Sequence, residues 1–217
     1  MSTKAALWLQ PKQGTPLYEA LQQLIQGLTP LFDDAPKFAP HITLTSDVFI
    51  SRRSQVEQVL DTAVAAAHAV SELTIILEDL QYGTLFFRKV ALGAVKSAEL
   101  LSLAMICREQ FVIFPSLRAQ SRHFDALPPA QQQDLSAQAG AAAKQWVNEE
   151  YQPHLSLVYS NVYTLSESIK QTIKHRMEDV FGPNYATRGI GWTGGRISLV
   201  DISGPVDQWS VLGYRDI

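Results

Sequence analysis

The sequence predicts an α+β fold built on antiparallel sheets, and three observations lead there. Strand-like and helical stretches are interspersed along the chain, yet pairs of strands follow one another across short turns, as hairpins do and doubly wound parallel sheets do not. Apolar spacing switches between the two-residue period of strands and the helical period. The 217 residues, 46% hydrophobic and 18% charged, are enough to bury a core in one large domain or two small lobes without disulfide or metal staples.

The elements follow in order. Ala5 to Leu9 is an apolar strand stopped by Gln10-Pro11. Leu17, Leu21, Leu24, Ile25 and Leu28 describe an amphipathic helix with Thr15 as N-cap, ending near Thr29-Pro30. A loop containing Asp33, Asp34 and Pro36 leads into the β-rich segment Phe38 to Thr45, in which the strand starts directly after Pro40. Val56, Val59, Leu60, Ala63, Val64 and Ala67 mark a second helix, capped by Ser51 or Ser54 and closed by a solvent-facing or structural His68. Leu73 to Leu80 and Leu85 to Leu92 read as an antiparallel pair, which would put Phe86 and Phe87 on opposite faces.

A helix from Ala98 to about Phe111 carries Cys107 among apolar neighbours as a buried thiol. From Pro115 to about residue 150 the pattern weakens into a helical excursion in which His123 is a surface or packing residue. Tyr151 to Tyr159 is again strand-like. The helix from Ser166 to about Phe181 puts His175 on a solvated face, and Arg196 to Ile202 with Trp209 to Tyr214 forms a terminal hairpin around Gly204-Pro205.

Charge narrows the partners. Eighteen basic against twenty-one acidic residues give a net charge of −3 and a pI near 5.9. Long nucleic acid needs a positive footprint, so it is not an expected partner. A small anion held by a few placed groups is compatible with this balance. Cys107 is the sole cysteine, which excludes an intramolecular disulfide and a cysteine-based zinc site. The run Ala5 to Leu9 is too short for a secretory core, and no uninterrupted apolar stretch of about 18 residues is present. The expectation is an intracellular, cytoplasmic protein with no membrane span.

Two segments match: Pro40-His41-Ile42-Thr43-Leu44 and Pro153-His154-Leu155-Ser156-Leu157. In a strand, residues i and i+2 share a face, so each motif presents a histidine and a hydroxyl together and turns its aliphatic residues the other way. Imidazole titrates near neutrality, so one neutral and one protonated ring facing each other form an acid-base pair. The hydroxyls of Thr43 and Ser156 would donate to a central anion, and a phosphate diester has oxygens for both. A metal site is disfavoured because neither His-x-x-x-His nor His-Glu-x-x-His occurs, and Gly-x-Ser-x-Gly is absent too.

These motifs resemble those of the 2H phosphoesterase superfamily, and in detail its cyclic phosphodiesterases linked to tRNA splicing in fungi and plants. Leu7-Trp8-Leu9, Phe38 to Leu44, Gly83 to Phe87 and Pro153 to Tyr159 carry the likeness over most of the chain. The resemblance implies a single bilobal domain over 1–217, LigT-like, with two pseudo-symmetric lobes, each an antiparallel sheet with outer helices, and a cleft between the sheets. It implies hydrolysis of ADP-ribose 1″,2″-cyclic phosphate and of nucleoside 2′,3′-cyclic phosphates by a monomer without cofactor or metal. His41 and His154 would be catalytic, Thr43 and Ser156 would bind phosphate, and Tyr159 and Trp8 would line the nucleotide site. Read from the residues alone, Tyr159 sits at an odd offset from His154 and reaches that site only if a bulge or strand end re-aims it. Trp8 reads equally as a core aromatic. The alternatives are a relative that processes RNA ends or ligates them, and a nucleotide-binding module without catalysis.

Overall fold

The computed structural model describes residues 3–121 and 124–217, so the expectation for His123 lies outside the described residues. β1 (Thr3–Gln10) has both faces covered. Ala5, Leu7 and Leu9 enter the main core, while Ala6 and Trp8 join Val200 in a second, smaller cluster. α1 (Pro16–Leu28) starts where expected: the Thr15 hydroxyl accepts from the Tyr18 N–H, and proline opens the first turn. After β2 (Ile42–Ile50), α2 (Arg53–Ala69) departs in one detail. Neither Ser51 nor Ser54 caps it; the Gln55 side-chain oxygen Oε1 accepts from the Ser51 and Arg52 N–H groups at 2.7 and 2.9 Å, so the cap reaches back from inside the helix. His68 is exposed at its end.

β3 (Thr74–Tyr82) and β4 (Val90–Ala94) pair antiparallel, but residues 86–88 form a 3₁₀ turn instead of continuing a strand. Phe86 and Phe87 therefore do not alternate. At about 120° per residue the turn brings both toward the cleft. α3 (Ala98–Arg108) does not stop near Phe111. Glu109–Ile113 is a π-helical turn leading into α4 (Phe114–Gln120), where the amide of Phe114 bonds back to Glu109 and Pro115 has no N–H to offer. By length and composition this run, Ala98–Gln120, is apolar enough to cross a membrane, with a mean hydropathy of 1.4, although the sequence showed no uninterrupted apolar stretch of that length. Arg108 and Glu109 interrupt it, and α3 packs against β2, α2 and α5 (Pro129–Glu149). α5 is the anticipated helical excursion.

β5 (His154–Val158), α6 (Glu167–Phe181) with its Ser166 cap, α7 (Tyr185–Arg188) and β6 (Ile190–Thr193) follow, and β7 (Arg196–Asp201) with β8 (Ser210–Asp216) make the expected hairpin. β6 was not foreseen, because glycines at 189, 191, 194 and 195 interrupt its apolar pattern. His175 is exposed and Cys107 fully buried.

Among the described residues eight strands form one antiparallel sheet in the order β6-β3-β4-β5-β2-β1-β7-β8. It divides into two four-stranded halves joined between the motif strands by a single pair, Ile42 with Leu155. Each half repeats the order strand, helix, motif strand, helix: β1-α1-β2-α2 and β4-α3-β5-α6, the second with the excursion inserted. α1 packs against β5 and α3 against β2, so each half's first helix supports the other half's motif strand.

Ile42 and Leu155 are wholly buried where the halves meet. Ile42→Ala is expected to cost about 2–5 kcal/mol of unfolding free energy in urea melts. Val162→Ala, at a 39% exposed position, is expected to stay within about 0.5 kcal/mol. Equal costs at the two positions would contradict this view of the joint.

Candidate active site

In an antiparallel pair, residues directly opposite point to the same side. With Ile42 opposite Leu155 and both in the core, the register continues to His41 opposite Ser156 and Thr43 opposite His154 on the other side. No further pair along these strands is bridged, so they part on either side and leave a cavity of about 720 Å³. It is lined by His41, Thr43, His154 and Ser156, as the motif periodicity required, and by Trp8 and Tyr159.

Both histidines are held in the same way. His41 Nδ1 lies 2.7 Å from the Ala39 carbonyl and His154 Nδ1 lies 2.8 Å from that of Gln152, in each case two residues back across a proline. Proline drives its predecessor toward extended geometry, which aims that carbonyl at the ring. A carbonyl only accepts, so Nδ1 carries the proton in both neutral rings and each Nε2 keeps its lone pair.

The surroundings of the two rings differ. Trp8 stacks on His41 with centroids 3.6 Å apart and planes 9° from parallel. Trp8 pairs with Thr43 across β1 and β2, and the matching partner of Ser156 across β4 and β5 is Ala91, so no indole covers His154 in that way. His41 is 4% exposed, whereas His154 is half-buried. Burial pushes His41 down to about 4 against the opposing pull of the Ala39 carbonyl, and nearby His154 lowers it further. Burial also lowers His154; the Gln152 carbonyl works against this and the charge of Arg88 adds to it.

Tyr159 arrives by both routes the sequence left open. β5 ends at Val158, and between the pairs Val90/Val158 and Ala91/Ser156 it carries one extra residue, Leu157. That bulge shifts the alternation and turns Tyr159 to the side of Ser156. Its hydroxyl donates to His41 Nε2 at 3.3 Å, and its ring stacks on Phe38 at 3.9 Å. Burial pushes the phenol up, which keeps it a donor.

The two hydroxyls are not equivalent. Ser156 Oγ donates to the Phe87 carbonyl at 2.7 Å. Thr43 Oγ1 makes no hydrogen bond among the described residues, while the Thr43 carbonyl accepts from Tyr151 Oη at 3.0 Å. Ser156 must therefore rotate away from Phe87 to donate to an anion, and Thr43 need not.

Among the lining and supporting residues that escaped the sequence are Trp209, Asp34 and Phe38. Trp209, immediately before β8 in the terminal hairpin, faces Phe87 at 6.0 Å and Trp8 at 5.9 Å across the mouth. Asp34 accepts from Ser160 Oγ and the Asn161 N–H, which hold its carboxyl below the usual range and tie the loop before the first motif to the one after the second. Phe38 stands three residues before His41, and its aromatic character was the only signal. The arrangement sets two imidazole nitrogens and two hydroxyls around one space, able to move protons on either side of a bound oxyanion.

The profile of the family described as "Cyclic phosphodiesterase-like protein" matches residues 1–217, and the chain belongs to that family, whose enzymes hydrolyse cyclic phosphodiesters. It is 46% identical over 212 residues to the 2′,3′-cyclic-nucleotide 3′-phosphodiesterase of Yarrowia lipolytica, covering 97% of this chain and 98% of that protein. Proteins of the same name from Candida albicans and Saccharomyces cerevisiae are 30% and 28% identical, each over 98% of this chain and over 98% and 99% of their own lengths. Among solved structures, E. coli LigT in its apo form aligns over 100% of this chain and 98% of its own, at 12% identity and a TM-score of 0.47.

His41 generates a prediction about pH. A ring neutral in the fold but free to charge near pH 6.5 when unfolded stabilises the fold fully above that pH, and the contribution is lost as pH falls toward 4. Between pH 7.5 and 4.5, urea melts should lose about 2–3 kcal/mol to this group alone, and His41→Gln should remove that part of the slope. An unchanged slope in the variant would show that His41 is not the group responsible.

Proposed function

We propose that the protein hydrolyses nucleoside 2′,3′-cyclic phosphates to 2′-phosphates and ADP-ribose 1″,2″-cyclic phosphate to ADP-ribose 1″-phosphate, clearing by-products of tRNA splicing inside the cell as a monomer. The observation that carries this reading is the matched pair of Nδ1–H bonds, which leaves two unprotonated Nε2 atoms beside one cavity that also holds Thr43 and Ser156. The name shared by the relatives from Yarrowia lipolytica, Candida albicans and Saccharomyces cerevisiae supports the substrate class.

In this reaction one neutral imidazole takes a proton from water as its oxygen attacks phosphorus. The other, protonated, gives its proton to the leaving ribose oxygen as the P–O3′ bond breaks. Anionic substrate favours that second proton, and His154, the less buried ring, is the one that charges more readily. Thr43 and Ser156 donate to the non-bridging oxygens, and the aromatic rim of Phe87 and Trp209 offers flat surfaces to the nucleoside, with Trp8 buried behind it against His41. Proton transfer and charge stabilisation are thus supplied without a Lewis acid. Among the described residues no three His, Cys, Asp or Glu side chains are grouped to hold a metal ion.

His41→Ala and His154→Ala should each lower turnover by about 10²-fold or more, and the double variant by much less than the product of the two losses. Thr43→Ala, which removes a free donor, should weaken phosphate binding more than Ser156→Ala. Near-normal turnover in either histidine variant would favour the binding-module alternative.

Product identification tests the chemistry. Incubation with 2′,3′-cyclic AMP should give 2′-AMP alone, with the ADP-ribose cyclic phosphate opened as well, and saturating chelator should leave both rates intact. A 3′-phosphate product, or loss of activity to chelator with recovery on adding magnesium or zinc, would overturn this mechanism.

A further inference from the structure

Matching the halves residue by residue exposes a replaced hydrogen bond. Leu9 pairs with Ile42 in one half and Leu92 pairs with Leu155 in the other. Gln10 therefore corresponds to Gly93, and Pro11 to Ala94. In the second half the Ala94 N–H donates to the carbonyl of Pro153, the residue before His154, at 3.0 Å. The equivalent donor in the first half is missing, because Pro11 has no N–H.

A side chain fills the gap. Gln10 Nε2 donates to the Pro40 carbonyl at 3.0 Å, and Ser198 Oγ bonds to Gln10 Oε1 at 2.7 Å. Gln10 and Ser198 are 5% and 1% exposed, so both bonds lie away from bulk water. The Pro40 carbonyl can only accept, which settles the orientation of the amide: nitrogen to Pro40, oxygen to Ser198. Gly93, at the corresponding position, has no side chain, and the Ala94 N–H beside it already supplies the bond.

We propose that Gln10 is a positioning residue for His41. It acts through the Pro40–His41 peptide, standing in for the backbone donor that Pro11 removes. This rests on the reading of His41 as an acid-base group. Two carbonyls, one on either side of proline, then hold the histidine in complementary ways. That of Ala39 fixes the ring's tautomer and rotation, and that of Pro40, held by Gln10, fixes the backbone from which the ring projects. Trp8, two residues before Gln10 on the same face of β1, supplies the surface against which the ring lies. One strand thus holds His41 by stacking and by hydrogen bonding. His154 has only the backbone version of the second hold.

Steady-state kinetics on 2′,3′-cyclic AMP, with four variants beside the wild type, tests this role. Gln10→Met keeps length and volume but has no donor. Its kcat is expected to fall about 10-fold or more with KM within about 2-fold, since small displacements of a reacting group are costly while substrate contacts are untouched. Adding Pro11→Ala restores a backbone N–H at the position of Ala94, and should recover at least half of the lost kcat on a logarithmic scale. A purely structural role predicts no such rescue, because an N–H at position 11 restores neither the packing of the glutamine nor its bond with Ser198. If Gln10→Met does not fold, Gln10→Asn, whose amide stops one methylene short of Pro40, is expected to show the same kcat loss. His41→Ala is the control: if it keeps wild-type turnover, the acid-base reading fails. If it is inactive while the Gln10 variant that folds keeps wild-type kcat, or if Pro11→Ala gives no rescue, the positioning role alone is overturned.

Discussion

A single cross-strand pair sets the geometry of the whole cleft. Ile42 and Leu155 each follow a motif histidine, and they are the one point at which β2 and β5 are bridged. Because side chains alternate along a strand, putting these two into the core forces His41, Thr43, His154 and Ser156 to the opposite side. Because the strands separate beyond the pair, those four side chains border a cavity instead of a packed seam. A register slip of one residue at this joint would bury the imidazoles among leucines and carry the aliphatic residues into the cleft.

On this symmetric frame the chemistry is unsymmetric. Where the first half has Trp8, the second has Ala91; where the first has Gln10 and Pro11, the second has Gly93 and Ala94. The indole buries His41 and drives its proton affinity down, while His154 keeps more contact with solvent. Two rings with the same tautomer and equivalent carbonyl partners thereby acquire different readiness to charge. The proposed acid-base pair needs that difference, since two groups with identical environments would have no fixed division of labour.

The sequence disclosed the parts governed by short-range periodicity. The repeated Pro-His-x-hydroxyl-Leu pattern announced both motif strands and the faces of their side chains, and Thr15 with the apolar spacing of α1 and α2 announced helices that the structure contains. What stayed hidden depends on pairing between distant segments. The bulge at Leu157 that delivers Tyr159 exists only relative to β4, and the 3₁₀ turn that aims both Phe86 and Phe87 at the cleft breaks a run that reads as strand. β6 is masked by glycines, and the role of Gln10 appears only when the two halves are superposed in register. Trp209 stands just before β8 of the foreseen hairpin, but it reaches the rim because β7 lies beside β1, a pairing between the two ends of the chain that no local signal foretells.

A crystal structure with 2′-AMP bound would test the joint-and-cleft geometry most directly. The phosphate is expected between the rings, with its oxygens within hydrogen-bond distance of Nε2 of both His41 and His154 and of the Thr43 hydroxyl, and with both Nδ1 atoms still on the Ala39 and Gln152 carbonyls. A phosphate bound outside the space between the two imidazoles, or rings turned so that Nδ1 faces it, would contradict the assignment of this cleft as the place where the diester is opened.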